Sequence, residues 1–254
     1  MRVSAVSYLN TWPLVWGFLE RPQRGLYDFR FDLPAQCADA VAAGEADLGL
    51  VPCAELDRLG LDFLPDLGIA CDGPVRSILL VSRCEVSKIR TLAADSGSRT
   101  SVALARILLA ERYGCRPAIT TQAPLLDDML AEHDAALIIG DPALRLEPAA
   151  LPWKTLDLGA EWVEWTGLPM VFAVWAGRAA ALRPDVAPDI SKSFNDSYDW
   201  GRTHTEEIVA RATKERGFPA DVARNYITHH IVYELTPRHR AGLDLFRAKV
   251  RQLE

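Results

Sequence analysis

Residues 95–114 read DSGSRTSVALARILLAERYG, and this stretch sets the fold. From Val102 onward it is a helix. Val102, Ala105 and Leu109 recur at helical spacing, as do Leu104 and Leu108, and Gly114 supplies a stop. Ahead of the first turn stand Ser96, Ser98, Thr100 and Ser101, with Gly97 and Arg99 between them. A helix start leaves backbone N–H groups unpaired and carries partial positive charge. Ser and Thr there can cap the helix, or they can share those donors with a bound anion. Ser98, Arg99, Thr100 and Ser101 together exceed what one cap requires, which points to an anion. A carboxylate fits better than a phosphate, because no G-x-x-x-x-G-K-[ST] run is present.

Outward from this stretch, strand and helix signals alternate. Before it, 2–6 reads as a strand and 7–11 as the loop leaving it. A helix carries Pro13 in its first turn and continues through 14–19. The alternating Phe29, Phe31 and Leu33 make 27–33 a strand, 34–43 is a helix closed by Gly44, and 46–51 is a buried strand followed by a short helix from Pro52. Strands at 66–72 and 75–82 are split by Asp72-Gly73-Pro74, a turn signal. Ser77 falls inside the second, either satisfied by backbone or aimed into a cavity.

After Cys84 the pattern restarts. Strands are expected at 92–94, 118–121, 135–139, 153–156 and 170–175, with helices at 98–113, 124–132 and 158–165. From about Asp185 the chain turns helical, at 185–213, 219–231 and 237–252, with no strand signal. The repeated order makes an α/β fold with parallel sheet the default. Crossings near 82–85 and 172–176 divide it into two lobes. The first takes 1–84 and 173–254, including the helical C-terminal tail, and the second takes 85–172. A ligand cleft would lie between them.

The chain has 254 residues, 49% of them hydrophobic, so it can bury a full core. Its net charge is -6 and it has no basic run, which excludes nucleic acid and anionic membrane as natural partners. An anionic ligand would therefore need local positive groups. Five cysteines, at 37, 53, 71, 84 and 115, form no C-x-x-C and no metal template, so reduced thiols and a cytoplasmic location are expected. No apolar run is long enough to span a membrane, and the N-terminus lacks a signal-peptide core. His229 and His230 are adjacent, so on a helix they diverge, and no metal is expected. Cys53 reads as a small buried thiol. Asp141 in GDPA can cap the next helix or bind a substrate hydroxyl, and the cap is favoured. Asn10 shares the rim of the first loop with Tyr8, Thr11 and Trp12. No G-x-S-x-G or G-x-G-x-x-G is present, so an enzyme here would rely on neutral polar groups and helix ends.

The segments VSYLNTWPL (6–14), GEADLGLVP (44–52), VRSILLVS (75–82), DSGSRTSVALARILL (95–109), LIIGDPAL (137–144) and TGLPMVFAVW (166–175) together resemble the menaquinone-biosynthesis family of the futalosine route. Within it they are most similar to the members that dehydrate chorismate. The resemblance runs nearly end to end and keeps the family's order. It implies a type II periplasmic-binding-protein fold used as an enzyme. The implied reaction turns chorismate into 3-[(1-carboxyvinyl)oxy]benzoate with no cofactor. By the same resemblance Asn10 and Ser77 are catalytic. Ser98, Arg99, Thr100 and Ser101 face the ligand, and Gly140, Asp141, Thr166 and Gly167 are cleft loops. Tyr8, Leu9, Thr11, Pro52 and Arg76 flank these positions and are assigned to substrate binding with them. The rivals are the sister enzyme that makes 1,4-dihydroxy-6-naphthoate, a solute-binding protein of the same fold, and the effector domain of a regulator.

Overall fold

The computed structural model describes residues 1–20 and 23–253. Arg21, Pro22 and Glu254, which the sequence assigns to the first lobe, lie outside the described residues. In chain order the elements begin with β1 (Arg2–Val6), α1 (Trp12–Leu19), β2 (Asp28–Asp32), α2 (Pro34–Ala43), β3 (Leu48–Pro52), α3 (Leu56–Leu59) and β4 (Asp62–Cys71). The middle of the chain supplies β5 (Ile78–Ser82), β6 (Thr91–Asp95), α4 (Thr100–Glu111), β7 (Ala118–Gln122), α5 (Leu126–Glu132), β8 (Ala135–Ile139), α6 (Gly140–Leu144), β9 (Lys154–Asp157) and α7 (Leu158–Thr166). The remainder holds β10 (Met170–Gly177), α8 (Ala187–Thr203), α9 (Thr205–Arg216), α10 (Ala220–Asn225), β11 (Val232–Glu234) and α11 (Pro237–Val250). No described helix is long and apolar enough to cross a membrane.

Two sheets result. The first has the order β11-β4-β10-β3-β1-β2 and the second β7-β6-β8-β5-β9. Both are mixed, where the strand-helix alternation predicts parallel pairing. β1 runs parallel to β2 and β3, but β10 is antiparallel to β3 and β4. β6 is parallel to β7 and β8, but β5 is antiparallel to β8 and β9. The antiparallel strands are those that carry the chain from one sheet to the other. β3, β5, β8 and β10 are buried along their whole length, which is why they read as unbroken apolar runs.

The crossings differ from the sequence expectation. Ile78–Ser82 was expected in the first lobe, yet it pairs with β8 and β9 of the second sheet. The chain therefore crosses at 72–77, at the Gly73-Pro74 turn, and not after Ser82. The return falls at 167–169, because Met170 already pairs with Cys71 in the first sheet. The helical tail is also interrupted. Val232–Glu234 forms a short edge strand on β4, a β-branched and aromatic pair too brief to show a period. α11 then packs so closely on the return that a Cβ on Gly242 would sit 2.0 Å from the Pro169 carbonyl oxygen.

The end of α11 is tied down by charge. Arg247 and Arg251 both pair with Asp57 of α3. The Arg247 hydrogen bond, joined by Arg251, holds the Asp57 carboxyl below its ordinary value of 3.8, against the opposing effect of burial. A depressed folded-state pKa gives stability that is complete above the unfolded value and lost as pH falls through the folded one. Asp57→Asn should therefore lower stability at pH 7 and flatten the loss below about pH 4. Urea unfolding across that range would check it, and an equal loss at pH 3 and pH 7 would contradict it.

Candidate active site

The carboxyl ends of β1, β3, β6 and β8 meet one cavity, where the two sheets face each other. It is lined by Val6, Tyr8, Pro52, Ile139 and Gly140 from those strand ends, by Ser98 to Ser101, and by Ile69, Phe172 and Ala173 from β4 and β10. Asn10, Pro34, Val75, Ser77 and Ile78 complete it. The enclosed space is about 530 Å³, its open mouth included. Loops at the carboxyl edge of an α/β sheet are where ligands usually bind.

The floor under the hydroxyl run is Asp95, which ends β6 and is only 2% exposed. Its carboxylate accepts from Gly97 N at 2.9 Å and Ile139 N at 3.3 Å, so it joins the ends of β6 and β8. Burial pushes its pKa up, and the two backbone donors resist that. The chain then turns into α4, whose start has no side-chain cap. Ser98 and Ser101 make no side-chain hydrogen bond among the described residues, and both line the cavity. The Thr100 hydroxyl accepts from Ala54 N at 3.2 Å, which bridges the two sheets.

Arg99 lines the cavity but is not a free cation. Its guanidinium donates to Glu55 at 2.8 Å and to Asp39 at 2.7 Å. The sequence expectation gave it to the anion, but two carboxylates of the facing lobe neutralise it. What remains for an anion is the uncapped helix start and its hydroxyls.

The first loop forms the opposite wall. Tyr8 stands on Gly140, whose φ of +63° suits glycine and whose added Cβ would lie 2.3 Å from the Tyr8 ring. Burial, then the charges of Asp95 and Asp141, push the Tyr8 phenol well up, so it stays protonated. Asn10 accepts from Thr11 Oγ1 at 3.4 Å and lines the cavity.

Ser77 is 2% exposed and held from both sides. Its carbonyl accepts from Gly140 N at 2.8 Å, and its Oγ accepts from the Tyr226 phenol at 2.8 Å. It lies just before β5 and not inside the strand. The residue before it, Arg76, has φ +67°, the only positive value for a described residue other than glycine. Asp157 holds that conformation by accepting from Val75 N at 3.0 Å and Arg76 N at 2.6 Å.

Of the residues singled out in the sequence, Tyr8, Asn10, Pro52, Ser77, Ser98, Arg99, Thr100, Ser101 and Gly140 come together on the cavity. Six others do not line it. Leu9 and Thr11 are buried behind the loop. Leu9 donates its N–H to Asp141 at 2.9 Å, and the other Asp141 oxygen pairs with Arg216. Asp141 thus ties the first loop and the end of α9 to the start of α6, and is neither a cap nor a lining residue in this geometry. The Arg76 guanidinium turns away to the Leu146 carbonyl at 2.5 Å. Thr166 and Gly167 close the end of α7, where Thr166 Oγ1 donates to the Trp162 carbonyl at 2.8 Å.

The lining contains no Asp, Glu, His, Lys or Cys. Cys53 is buried beside it, and burial pushes its thiol pKa up, which disfavours a thiolate. No group of three or more His, Cys, Asp or Glu could hold a metal among the described residues. The wall can orient an anionic ligand and donate hydrogen bonds to it, but offers no side chain suited to take a proton.

A sequence model of the menaquinone biosynthesis family matches residues 1–252. The chain belongs to that family. It is 28% identical over 233 residues to a chorismate dehydratase of Thermus thermophilus, covering 84% of this chain and 83% of the relative. It is 30% identical over 242 residues to one of Campylobacter jejuni, covering 94% and 88%. Among solved structures it superposes on a protein of Archaeoglobus fulgidus with a TM-score of 0.81 at 16% identity, covering 99% of this chain and 97% of that one. The periplasmic aliphatic sulphonate binding protein SsuA of Escherichia coli gives 0.65 at 17% identity, covering 100% and 86%. The fold is of the periplasmic-binding-protein type.

Three residues at or behind this cavity take their place only in the structure. Tyr226 lies 149 positions from Ser77, and no local pattern links them. Arg216 likewise meets Asp141 only in space. Asp95 opens the quoted stretch, but nothing local shows that its carboxylate joins the ends of β6 and β8.

Asp157 is the most exposed weakness of this arrangement to mutation. It caps α7 through Gly159 N and Ala160 N while holding 75 and 76. Asp157→Ala should cost about 2 kcal/mol, the upper range for a lost cap. Urea unfolding would measure it, and a loss below a few tenths would show that the 72–77 segment holds itself.

Proposed function

We propose that this chain is a chorismate dehydratase of the futalosine route to menaquinone, acting in the cytoplasm. The observation that carries the reading is the cavity wall. It offers an uncapped helix start and several hydroxyls for anionic groups, apolar surface for a ring, and no side chain suited to remove a proton. Chorismate has those parts: a ring, two carboxylates and a leaving hydroxyl. The two sheets act as lobes that enclose it, with the chain crossing at 72–77 and 167–169.

The chemistry asks little of an acid or base. The C–H bond at the ether-bearing ring carbon breaks, the neighbouring C–OH bond breaks, and the electron pair completes an aromatic ring. Proton and hydroxide leave together as water, and both carboxylates survive. Ser77 and Asn10 hold the reacting part by hydrogen bonds, and the 98–101 helix start holds one carboxylate. The enolpyruvyl carboxylate of the substrate takes the proton from the ring carbon and passes it to the departing hydroxide, so that one water is lost and the carboxylate is regenerated. Catalysis is then orientation and electrostatic complementarity to one elimination geometry.

Purified protein incubated with chorismate should yield a product lighter by one water by mass spectrometry, with the enolpyruvyl ether intact. Ser77→Ala and Asn10→Ala should each lower kcat on the order of a hundredfold, as loss of one aimed donor does elsewhere. Chorismate bound but unchanged would make the protein a carrier or sensor. Activity on the precursor of 1,4-dihydroxy-6-naphthoate would reassign it to the sister reaction.

The Asp141–Arg216 pair makes a second demand. Arg216 lies over the Trp12 ring at 4.5 Å and neutralises the carboxylate nearest the first loop. Arg216→Met would leave Asp141 as an uncompensated negative charge behind the wall that holds a dianion. KM for chorismate should rise about tenfold and more steeply at low salt. Adding Asp141→Asn should restore it. A KM that stays high in the double variant would show that Arg216 acts through packing instead.

A further inference from the structure

We propose that Tyr226 is the positioning residue for Ser77: its phenol occupies a lone pair of the Ser77 hydroxyl and leaves that hydroxyl's own proton directed at the ligand. The inference rests on the reading of the cavity as the dehydratase site.

A serine hydroxyl has one proton and two lone pairs, and without a constraint it can donate or accept. Here the choice is made from behind. Tyr226 is 1% exposed, and a buried phenol is stabilised by donating its proton to an acceptor. The acceptor is Ser77 Oγ at 2.8 Å, a side-chain atom on the cavity wall and not a backbone carbonyl. Ser77 Oγ donates to no other group among the described residues, so its proton is free for whatever fills the cavity. The donated bond also polarises the Ser77 hydroxyl, since hydrogen bonds in a chain strengthen one another. Ser77 is thereby set as a donor. The ligand atom that meets it must be an acceptor, such as a carboxylate or the oxygen of a leaving hydroxyl.

Tyr226 is placed for this task by an irregular turn. Residues Tyr226–His230 form a π turn after α10, closed by Ile231 N to the Tyr226 carbonyl at 3.2 Å. Wide turns of this kind are rare and cluster at functional sites. The same turn places the His230 ring nitrogen Nδ1 3.0 Å from the Pro74 carbonyl oxygen, so it braces the 72–77 crossing as well as Ser77. Asn10 also flanks the phenol, so both candidate catalytic residues meet at Tyr226.

The role is positioning and not proton transfer. Burial pushes the Tyr226 phenol well above its ordinary value, with smaller opposing effects from Ser77 and Asn10. A phenolate there is disfavoured, so a relay through Tyr226 to the leaving group would stall.

The test is a double-mutant cycle on chorismate turnover with wild type, Ser77→Ala, Tyr226→Phe and the double variant. Phe fills the same volume, and thermal melts confirm that the fold is retained. Tyr226→Phe should lower kcat about tenfold, the worth of one hydrogen bond in a dry site, with KM changed less than about twofold. In the Ser77→Ala background the same change should cost nothing further. Equal losses in both backgrounds would overturn the proposal. Crystal structures supply the second readout. Ser77 Oγ should leave its wild-type rotamer in Tyr226→Phe, and an unmoved single rotamer would overturn the proposal. A wild type inert on chorismate would instead refute the dehydratase reading, and the rotamer comparison alone would then decide the role of Tyr226.

Discussion

Four backbone N–H groups converge on the Asp157 carboxylate, from Val75, Arg76, Gly159 and Ala160. This is the constraint on which the rest depends. The first two donors belong to the crossing into the second sheet, and the last two start the helix that leads back. One carboxylate therefore ties the crossing between the sheets to the start of α7. It also stabilises the left-handed Arg76, a conformation costing about 1–2 kcal/mol for a residue with a Cβ. That conformation delivers Ser77 to the cavity wall, with its carbonyl satisfied by Gly140 and its hydroxyl by Tyr226.

Charge is managed by the same economy of neighbours. The chain has a net charge of -6, yet the cavity suits an anion. The acids nearest it are occupied. Asp95 accepts from two backbone amides, Asp141 pairs with Arg216, and Glu55 accepts from Arg99 and Arg58. In return the nearby arginines are spent on those acids, so no bare guanidinium faces the ligand. Partial charges of a helix start remain, and these carry no mobile counter-charge and need no reorganisation when a ligand arrives. The sequence showed the hydroxyl cluster and its helix plainly. It could not show that Arg99 turns outward, because Asp39 and Glu55 lie 60 and 44 residues away.

Legibility followed the range of the interaction. Helix starts, left-handed glycines and buried strands are local, so α2 with its stop at Gly44, α4, and the apolar β8 and β10 were readable. Strand partners are not local. The segment 75–82 read as a strand, but nothing in it says that its neighbours are 135–139 and 154–157 and not the first sheet. The three residues of β11 gain their identity only from β4. Thr166 and Gly167 looked like a ligand loop by resemblance, whereas the hydroxyl of Thr166 is consumed by its own helix end. Tyr226 carried no signal, since a tyrosine in a helical tail looks like core until its hydroxyl finds Ser77.

The asymmetry of the cavity ties these strands together. Val6, Ile69, Ile139 and Phe172 give it apolar faces, while its donors come from three separate segments around Asn10, Ser77 and the start of α4. A ligand with an apolar ring and acidic arms matches that division of apolar faces and donors. SsuA, which shares the fold, is an aliphatic sulphonate binding protein. An elimination driven by aromaticity needs only a further step from that: a ground state held so that the breaking C–H bond faces an internal carboxylate and the leaving hydroxyl faces a committed donor. A hydroxyl free to rotate could accept as well as donate. On the proposed reading, removing that freedom is what would turn a binding wall into a catalytic one.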